Sequence, residues 1–275
     1  MQNKIVFPLA IRTGIWFNYY VSNTGLASIP PTIRGARNPS PYFLKALGME
    51  TKTAILVDGG FYKLRSNALF GRKLPTERAD ELQHYCALHI QDGGAYEKRS
   101  LYRIFYYDCP PLNAAVFHPW LKRNIYLGKS DLYAWTNTFF EALKKKRKFA
   151  LRLGRLANVG LGYRLASDVI KRLCDGRTTV DMLTESDFSL ETEQKGVDMR
   201  IGLDIAHLAY KRLVTQIILI SGDSDFVPAA KLARREGIDF ILDPMQSHIA
   251  DDLMEHVDGI CSHWDNKKMH TIPSA

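Results

Sequence analysis

The chain has 275 residues, of which 46% are hydrophobic, and carries a net charge of +8. This composition can bury a sizeable core and excludes a largely disordered protein. No apolar run is long enough to span a bilayer, and the four cysteines lack the short paired spacing of a zinc ribbon or a redox pair. Reduced thiols and a cytoplasmic location are therefore expected.

The first 48 residues show no sustained helical or strand periodicity, and they contain five basic side chains but no acidic one. We expect a poorly ordered extension over 1–48, one α/β domain over 49–265 and a short tail over 266–275. Met49 is an alternative start of the chain.

Strands and helices alternate after Met49. The predicted order begins with strand 53–57, helix 77–90, strand 101–107 and helix 130–145, for which Ser130 is the expected N-cap. Strands over 149–153 and parts of 159–165 follow, then a polar loop over 184–194. The last predicted elements are helix 197–214, strand 216–220, helix 226–236, strand 238–242, helix 249–257 and strand 259–261.

This alternation predicts a mostly parallel sheet with helices on both faces. Parallel sheets place ligand sites at the carboxyl ends of their strands. Asp58 directly follows the first strand, and Asp223 and Asp225 follow strand 216–220. Asp198 begins the helix after a flexible Gly196. Carboxylates suit Mg²⁺ or Mn²⁺, so these four aspartates are the predicted metal ligands and catalytic residues.

Each of these aspartates also has an ordinary structural explanation. Asp225 could be the N-cap of the helix that follows it, Asp198 could compensate a helix dipole, and Asp58 could belong to a turn. The shared position of all four at predicted strand and helix ends favours the metal site.

Two further acids are weaker candidates. Asp108 follows the second predicted strand, but the prolines at 110–111 already explain a turn there. Asp204 lies six residues beyond Asp198, a spacing that does not return to the same helix face, so we expect it outside the ligand set.

A run of basic side chains follows the helix predicted over 130–145. Its members are Lys144, Lys145, Lys146, Arg147, Lys148, Arg152 and Arg155, with no acid among them. The run is typical of a surface that faces phosphates, and equally of a solvated helix end.

Three segments together resemble the NYN domain, in particular its LabA-like branch within the PIN-like nucleases. They are Ile-Leu-Val-Asp-Gly-Gly-Phe-Tyr at 55–62, Lys-Gly-Val-Asp at 195–198, and Leu-Ile-Ser-Gly-Asp-Ser-Asp-Phe-Val-Pro at 219–228. The resemblance covers 49–264. It implies a PIN-like sheet, a Mg²⁺ or Mn²⁺ site at the four aspartates and hydrolysis of RNA. Predicted substrate contacts are Lys195, Ser221, Lys144, Lys145, Lys146, Arg147 and Arg152.

One departure from the family pattern bears on activity. Many relatives carry an asparagine shortly after the first aspartate, whereas this chain has Gly59, Gly60 and Phe61. If that asparagine orients substrate or water, its absence implies altered or absent turnover.

Other catalytic patterns are missing. There is no phosphate loop, dinucleotide fingerprint or Gly-x-Ser-x-Gly elbow, and the eight histidines form no ligand pair at helical spacing. The leading hypothesis is a metal-dependent ribonuclease acting on single-stranded RNA. The alternatives are a regulatory or RNA-binding scaffold and a small-nucleotide phosphohydrolase. The sequence leaves homo-oligomerisation open.

Overall fold

The computed structural model describes residues 50–91 and 98–263, apart from the side chains of 157–160 and 193–194. The predicted extension over 1–48 and the predicted tail over 266–275 lie outside the described residues.

The described part of the chain alternates between strands and helices, as predicted. The strands are β1 (Thr51–Asp58), β2 (Arg99–Asp108), β3 (Ala115–His118), β4 (Arg123–Tyr126), β5 (Phe149–Leu153), β6 (Arg155–Leu165), β7 (Phe188–Lys195), β8 (Gln216–Ile220), β9 (Asp239–Asp243) and β10 (Gly259–Ile260). The α-helices are α1 (Gly59–Phe70), α2 (Pro75–Gln91), α3 (Asp131–Lys144), α4 (Ser167–Cys174), α5 (Val197–Tyr210), α6 (Val227–Arg235) and α7 (Asp251–Met254).

Six strands form one parallel sheet in the order β10-β9-β8-β1-β2-β5. Side chains alternate across each strand, so β1 directs Ala54 and Leu56 to one face and Ile55 and Val57 to the other. Helices α5 and α6 pack on the first face, and α1, α2 and α3 pack on the second. The predicted α/β fold with helices on both faces of a parallel sheet is confirmed.

The predicted loop over 184–194 is wrong. Most of it forms β7, which pairs antiparallel with β6 in a separate two-stranded ribbon. Strand β7 is rich in polar residues because it does not lie in the covered sheet, and its pairing partner is distant in the sequence.

Four other features differ from the sequence-based expectations. Helix α1, helix α4 and the β3–β4 hairpin were not predicted. The helix expected over 249–257 is confined to α7, Asp251–Met254.

The sequence also led us to expect reduced cysteines and no membrane-spanning segment. All four cysteines lie within them and none forms a disulfide. No helix of the described ranges is both long and apolar enough to cross a membrane.

The start of α1 is packed too closely to accept a side chain. A Cβ added to Gly59 would lie 2.5 Å from the backbone oxygen of Tyr107 and 2.7 Å from the hydroxyl oxygen of Tyr106. Glycine at this position is therefore a packing requirement of the α1–β2 contact.

Replacing Gly59 by alanine should lower the free energy of unfolding by about 2 kcal/mol or more, because the new methyl group meets backbone that has to move. Gly202 provides a matched control: it also lies in a helix, α5, but an added Cβ meets nothing within 4 Å. Gly202→Ala should instead stabilise the protein by about 0.5–1 kcal/mol. Urea unfolding followed by circular dichroism measures both. Equal effects of the two substitutions would contradict the close approach at Gly59.

Candidate metal centre

Asp58 lies at the carboxyl end of β1, where its carboxylate is held from two sides. One oxygen caps α1 by accepting the backbone N–H of Phe61 at 3.2 Å. The other accepts the hydroxyl of Ser221, the residue that follows β8, at 3.3 Å. Ser221 is fully buried. It orients Asp58 and is not exposed for the substrate contact predicted for it.

Asp223 and Asp225 lie in the turn between β8 and α6. Asp223 caps that turn by accepting the backbone N–H of Asp225 at 3.0 Å, and its own N–H donates to the Ser221 hydroxyl at 3.3 Å. Helix α6 has Phe226 as its N-cap, without a side-chain capping bond. The alternative explanation of Asp225 as a helix cap is therefore wrong, and its exposed carboxylate remains available for a ligand.

Asp198 lies in the first turn of α5. It follows Val197, and Gly196 before that has a left-handed backbone conformation. Burial raises the pKa of Asp198, and the negative charges of Asp223 and Asp225 raise it further. Burial also raises the pKa of Asp58; the Phe61 N–H lowers it, and Asp198 raises it again. Asp198 therefore lies near the other three, and the four aspartates gather at the carboxyl edge of the sheet, in a group called here the acidic cleft.

The cleft has the chemistry of a divalent-cation site. Every influence on the pKa of Asp198 raises it, so the site holds negative charge that a cation would offset. Among the described residues, however, the four carboxylates do not form a group whose donor atoms all lie within 4.8 Å of one another. Mg²⁺ and Mn²⁺ keep several water ligands, so an ion at this edge does not require direct contact from all four carboxylates.

The two weaker acidic candidates have partners of their own. Asp108 is 1% exposed at the end of β2 and pairs with Lys63 at 2.8 Å. It also accepts the Tyr106 hydroxyl at 3.1 Å. Asp204 accepts the Tyr107 hydroxyl at 2.7 Å and the Nε–H of Arg152 at 3.1 Å. Arg152, a predicted substrate contact, is thus held by Asp204.

The structure does not bring residues 144–148 of the basic run to the aspartates. Residues 144–148 connect the end of α3 to the start of β5, whereas the carboxyl end of β5 pairs with Asp108. Residues 144–148 of the run therefore lie at the opposite edge of the sheet from the four aspartates, whereas Arg152 lies near the carboxyl end of β5. Lys144 pairs with Glu141 at 2.6 Å, and Lys146 pairs with Asp80 at 2.5 Å.

Other basic residues do lie near the carboxyl edge. The predicted Lys195 precedes α5 and is exposed, as is Arg200 in the first turns of α5. Burial and the charge of Asp108 raise the pKa of Cys109, the residue after β2, and the charges of Lys63 and Arg200 oppose this rise. Sequence reasoning missed Lys63 and Arg200; the signal for Arg200 was its position two residues after Asp198.

Residues 137–262 match the family of the NYN domain. This matched segment, somewhat less than half of the chain, is similar to an NYN domain. NYN domains belong to the PIN-like nuclease superfamily, whose members generally cleave RNA and usually require a divalent metal. The matched range contains Asp198, Asp223 and Asp225, whereas Asp58 lies before it. Membership of the LabA-like branch stays a prediction.

No curated protein matches the chain. A crystal structure of a protein of unknown function from Vibrio parahaemolyticus RIMD 2210633 is similar, with 14% sequence identity and a TM-score of 0.37. The similarity covers 77% of this chain and 91% of the Vibrio chain.

Asp198→Asn should raise the melting temperature of the metal-free protein. The pKa of Asp198 is raised in the folded state, so stability falls as pH rises from 3.8 towards the folded value, and the ionised form is the destabilising one. Thermal unfolding at neutral pH with a chelator measures the effect. Asp181→Asn, at an exposed position outside the cleft, is the control and should leave the melting temperature unchanged. A lower melting temperature for Asp198→Asn would contradict the charge repulsion.

Proposed function

We propose that this protein is a metal-dependent ribonuclease that hydrolyses phosphodiester bonds at the carboxyl edge of β1 and β8. The observation that carries the proposal is the electrostatically coupled cleft formed by Asp58, Asp198, Asp223 and Asp225. The NYN domain match supports the same reaction class.

Asp58 and Asp223 are the proposed direct ligands of Mg²⁺ or Mn²⁺, and Asp198 and Asp225 complete the site directly or through water. Such an ion supplies activation of a water nucleophile and stabilisation of the departing oxygen. The protein contributes orientation: Ser221 holds Asp58 through its hydroxyl and accepts the N–H of Asp223 through the same oxygen. One buried side chain thereby fixes the relative position of two ligands.

The proposed RNA path follows the exposed side chains of Lys195 and Arg200 at the same edge as the cleft. Lys195 is the last residue of β7, and Arg200 lies in the first turns of α5, so both are close in sequence to Asp198. Cationic side chains beside a carboxylate site attract a polyanion and hold its phosphates near the metal ligands. Single-stranded RNA is the proposed substrate, since an open edge site reaches a flexible strand more readily than a rigid duplex.

A second candidate function is an RNA-binding scaffold with weak or no turnover. The close packing at Gly59 favours it, because no side chain fits there to orient a substrate or a water molecule. The two candidates share the RNA partner and differ in catalysis.

The full chain should cut end-labelled single-stranded RNA in the presence of Mn²⁺ or Mg²⁺ and lose this activity in EDTA. The double variant Asp223→Asn, Asp225→Asn should lose at least about 100-fold in rate, since even partners outside the ligand set typically cost 10- to 100-fold. Single-stranded DNA of the same sequence reports the preference for RNA.

The Asp181→Asn variant, prepared in parallel, should cut at the wild-type rate, and the double variant controls for contaminating nuclease, which would cut equally in every preparation. Circular dichroism establishes that the double variant is folded. If wild type binds RNA but cuts no faster than the folded double variant, the ribonuclease proposal fails and the scaffold function takes its place.

The paired variant Lys195→Ala, Arg200→Ala should weaken RNA binding and reduce its salt dependence. Each cationic side chain that neutralises a phosphate of a single strand adds about 0.7 to the slope of log affinity against log salt, so removing two should reduce the slope by about 1.4. Fluorescence anisotropy at several salt concentrations measures the slope. Lys144→Ala, Lys145→Ala removes the same charge at the opposite edge and should change the slope little. The reverse result would move the RNA path to the basic run.

A further inference from the structure

A second group of metal-binding side chains lies at the β9–β10 end of the sheet. His89 belongs to the last turns of α2, whereas Cys261 and His263 follow β10. One donor atom from each of the three lies within 4.8 Å of the others. The group combines two imidazoles and one thiol, a donor set quite unlike the four aspartates.

The separation of two of its donor atoms matches a tetrahedral metal site. Cys261 Sγ lies 3.6 Å from His263 Nε2. With a Zn–S bond of about 2.3 Å and a Zn–N bond of about 2.0 Å, two tetrahedral ligands lie about 3.5 Å apart. The two side chains can therefore hold one zinc ion with little movement.

His89 is oriented by a carboxylate. It is fully buried, and its Nε2 lies 2.8 Å from Oδ2 of Asp243 at the end of β9. Its other ring nitrogen, Nδ1, is buried and has no hydrogen-bond partner in the described part of the protein. An unsatisfied buried ring nitrogen is costly unless something binds it, and an imidazole that donates to a carboxylate through one nitrogen commonly ligates metal through the other.

Asp243 is itself fixed in place by several donors. Its Oδ2 also accepts the Tyr85 hydroxyl at 2.6 Å, and its Oδ1 accepts the Ser262 hydroxyl at 2.6 Å and the Met245 N–H at 2.8 Å. Asp243 is not one of the three residues of the metal-binding group. Its place in the arrangement is that of a positioning residue for His89.

We propose that His89, Cys261 and His263 bind a zinc ion through Nδ1, Sγ and Nε2, with a fourth position open to water or another ligand. Zinc suits this mixed nitrogen and sulfur set, whereas Mg²⁺ and Mn²⁺ favour the oxygens of the aspartate cleft. The site does not depend on the proposed ribonuclease activity. It joins the end of α2 to the two-residue strand β10 and so closes the edge of the sheet.

The test uses the full chain, stripped of metal with a chelator under reducing conditions and titrated with Co²⁺ as a spectroscopic substitute for Zn²⁺. We expect one equivalent to produce a thiolate-to-cobalt charge-transfer band and the intense visible bands of tetrahedral Co²⁺. Zn²⁺ should abolish both by displacing the cobalt. Absence of the charge-transfer band in wild type overturns the proposal.

Cys261→Ser should abolish the charge-transfer band and weaken Co²⁺ binding at least about 10-fold. Cys174→Ser is the matched control, because Cys174 is an exposed thiol at the end of α4, and it should leave the spectrum unchanged. His263→Gln provides a second ligand variant in case Cys261→Ser does not fold. The Asp223→Asn, Asp225→Asn variant should retain the bands, which separates this site from the aspartate cleft. An unchanged band in folded Cys261→Ser would also overturn the proposal.

Discussion

The parallel pairing of β1 with β8 is the constraint on which the acidic cleft depends. Val57 pairs with Ile220, so the next residues along each strand, Asp58 and Ser221, leave the sheet side by side. Both strands are buried on both faces, and a shift of one residue would place every apolar side chain on the wrong layer. The core therefore enforces the register, and the register positions Asp58 and Ser221 beside each other at the proposed metal site.

Gathering four carboxylates at one edge opposes folding, because burial and mutual repulsion both raise the pKa of Asp198. The large two-sided core compensates for this local instability. Asp108, by contrast, is almost completely buried but is neutralised by Lys63 and tied to the Tyr106 hydroxyl. An aspartate thus has a paired basic side chain at the end of β2, whereas the aspartate at the end of β1 has a pKa that burial raises.

The sequence predicted correctly those features that depend on neighbouring residues, such as strand bounds and helix caps. Strands β5 and β8 have the predicted bounds, and Ser130 caps α3 as expected, accepting the Tyr133 N–H at 3.2 Å. Helix α1 was missed because it begins with two poor helix formers, Gly59 and Gly60, and is capped by a site residue. Strand β7 and the pairing of His89 with Cys261 and His263 depend on contacts between distant segments. The periodicity of one segment does not reveal such contacts. The position of residues 144–148 at the far edge likewise could not be predicted without knowing how the strands pair.

Ser221 connects the two ends of the sheet edge. Its hydroxyl bonds to Asp58, while its backbone N–H donates to the carbonyl oxygen of Asp243 at 3.2 Å. Asp243 in turn holds His89 through its side chain. Ser221 is therefore the residue through which the position of β9 against β8 bears on Asp58, the first proposed metal ligand. If a ligand bound at His89 shifts β9 against β8, it changes the affinity of a ligand at Asp58. Thermodynamic linkage then requires that the ligand at Asp58 change the affinity at His89 by the same factor.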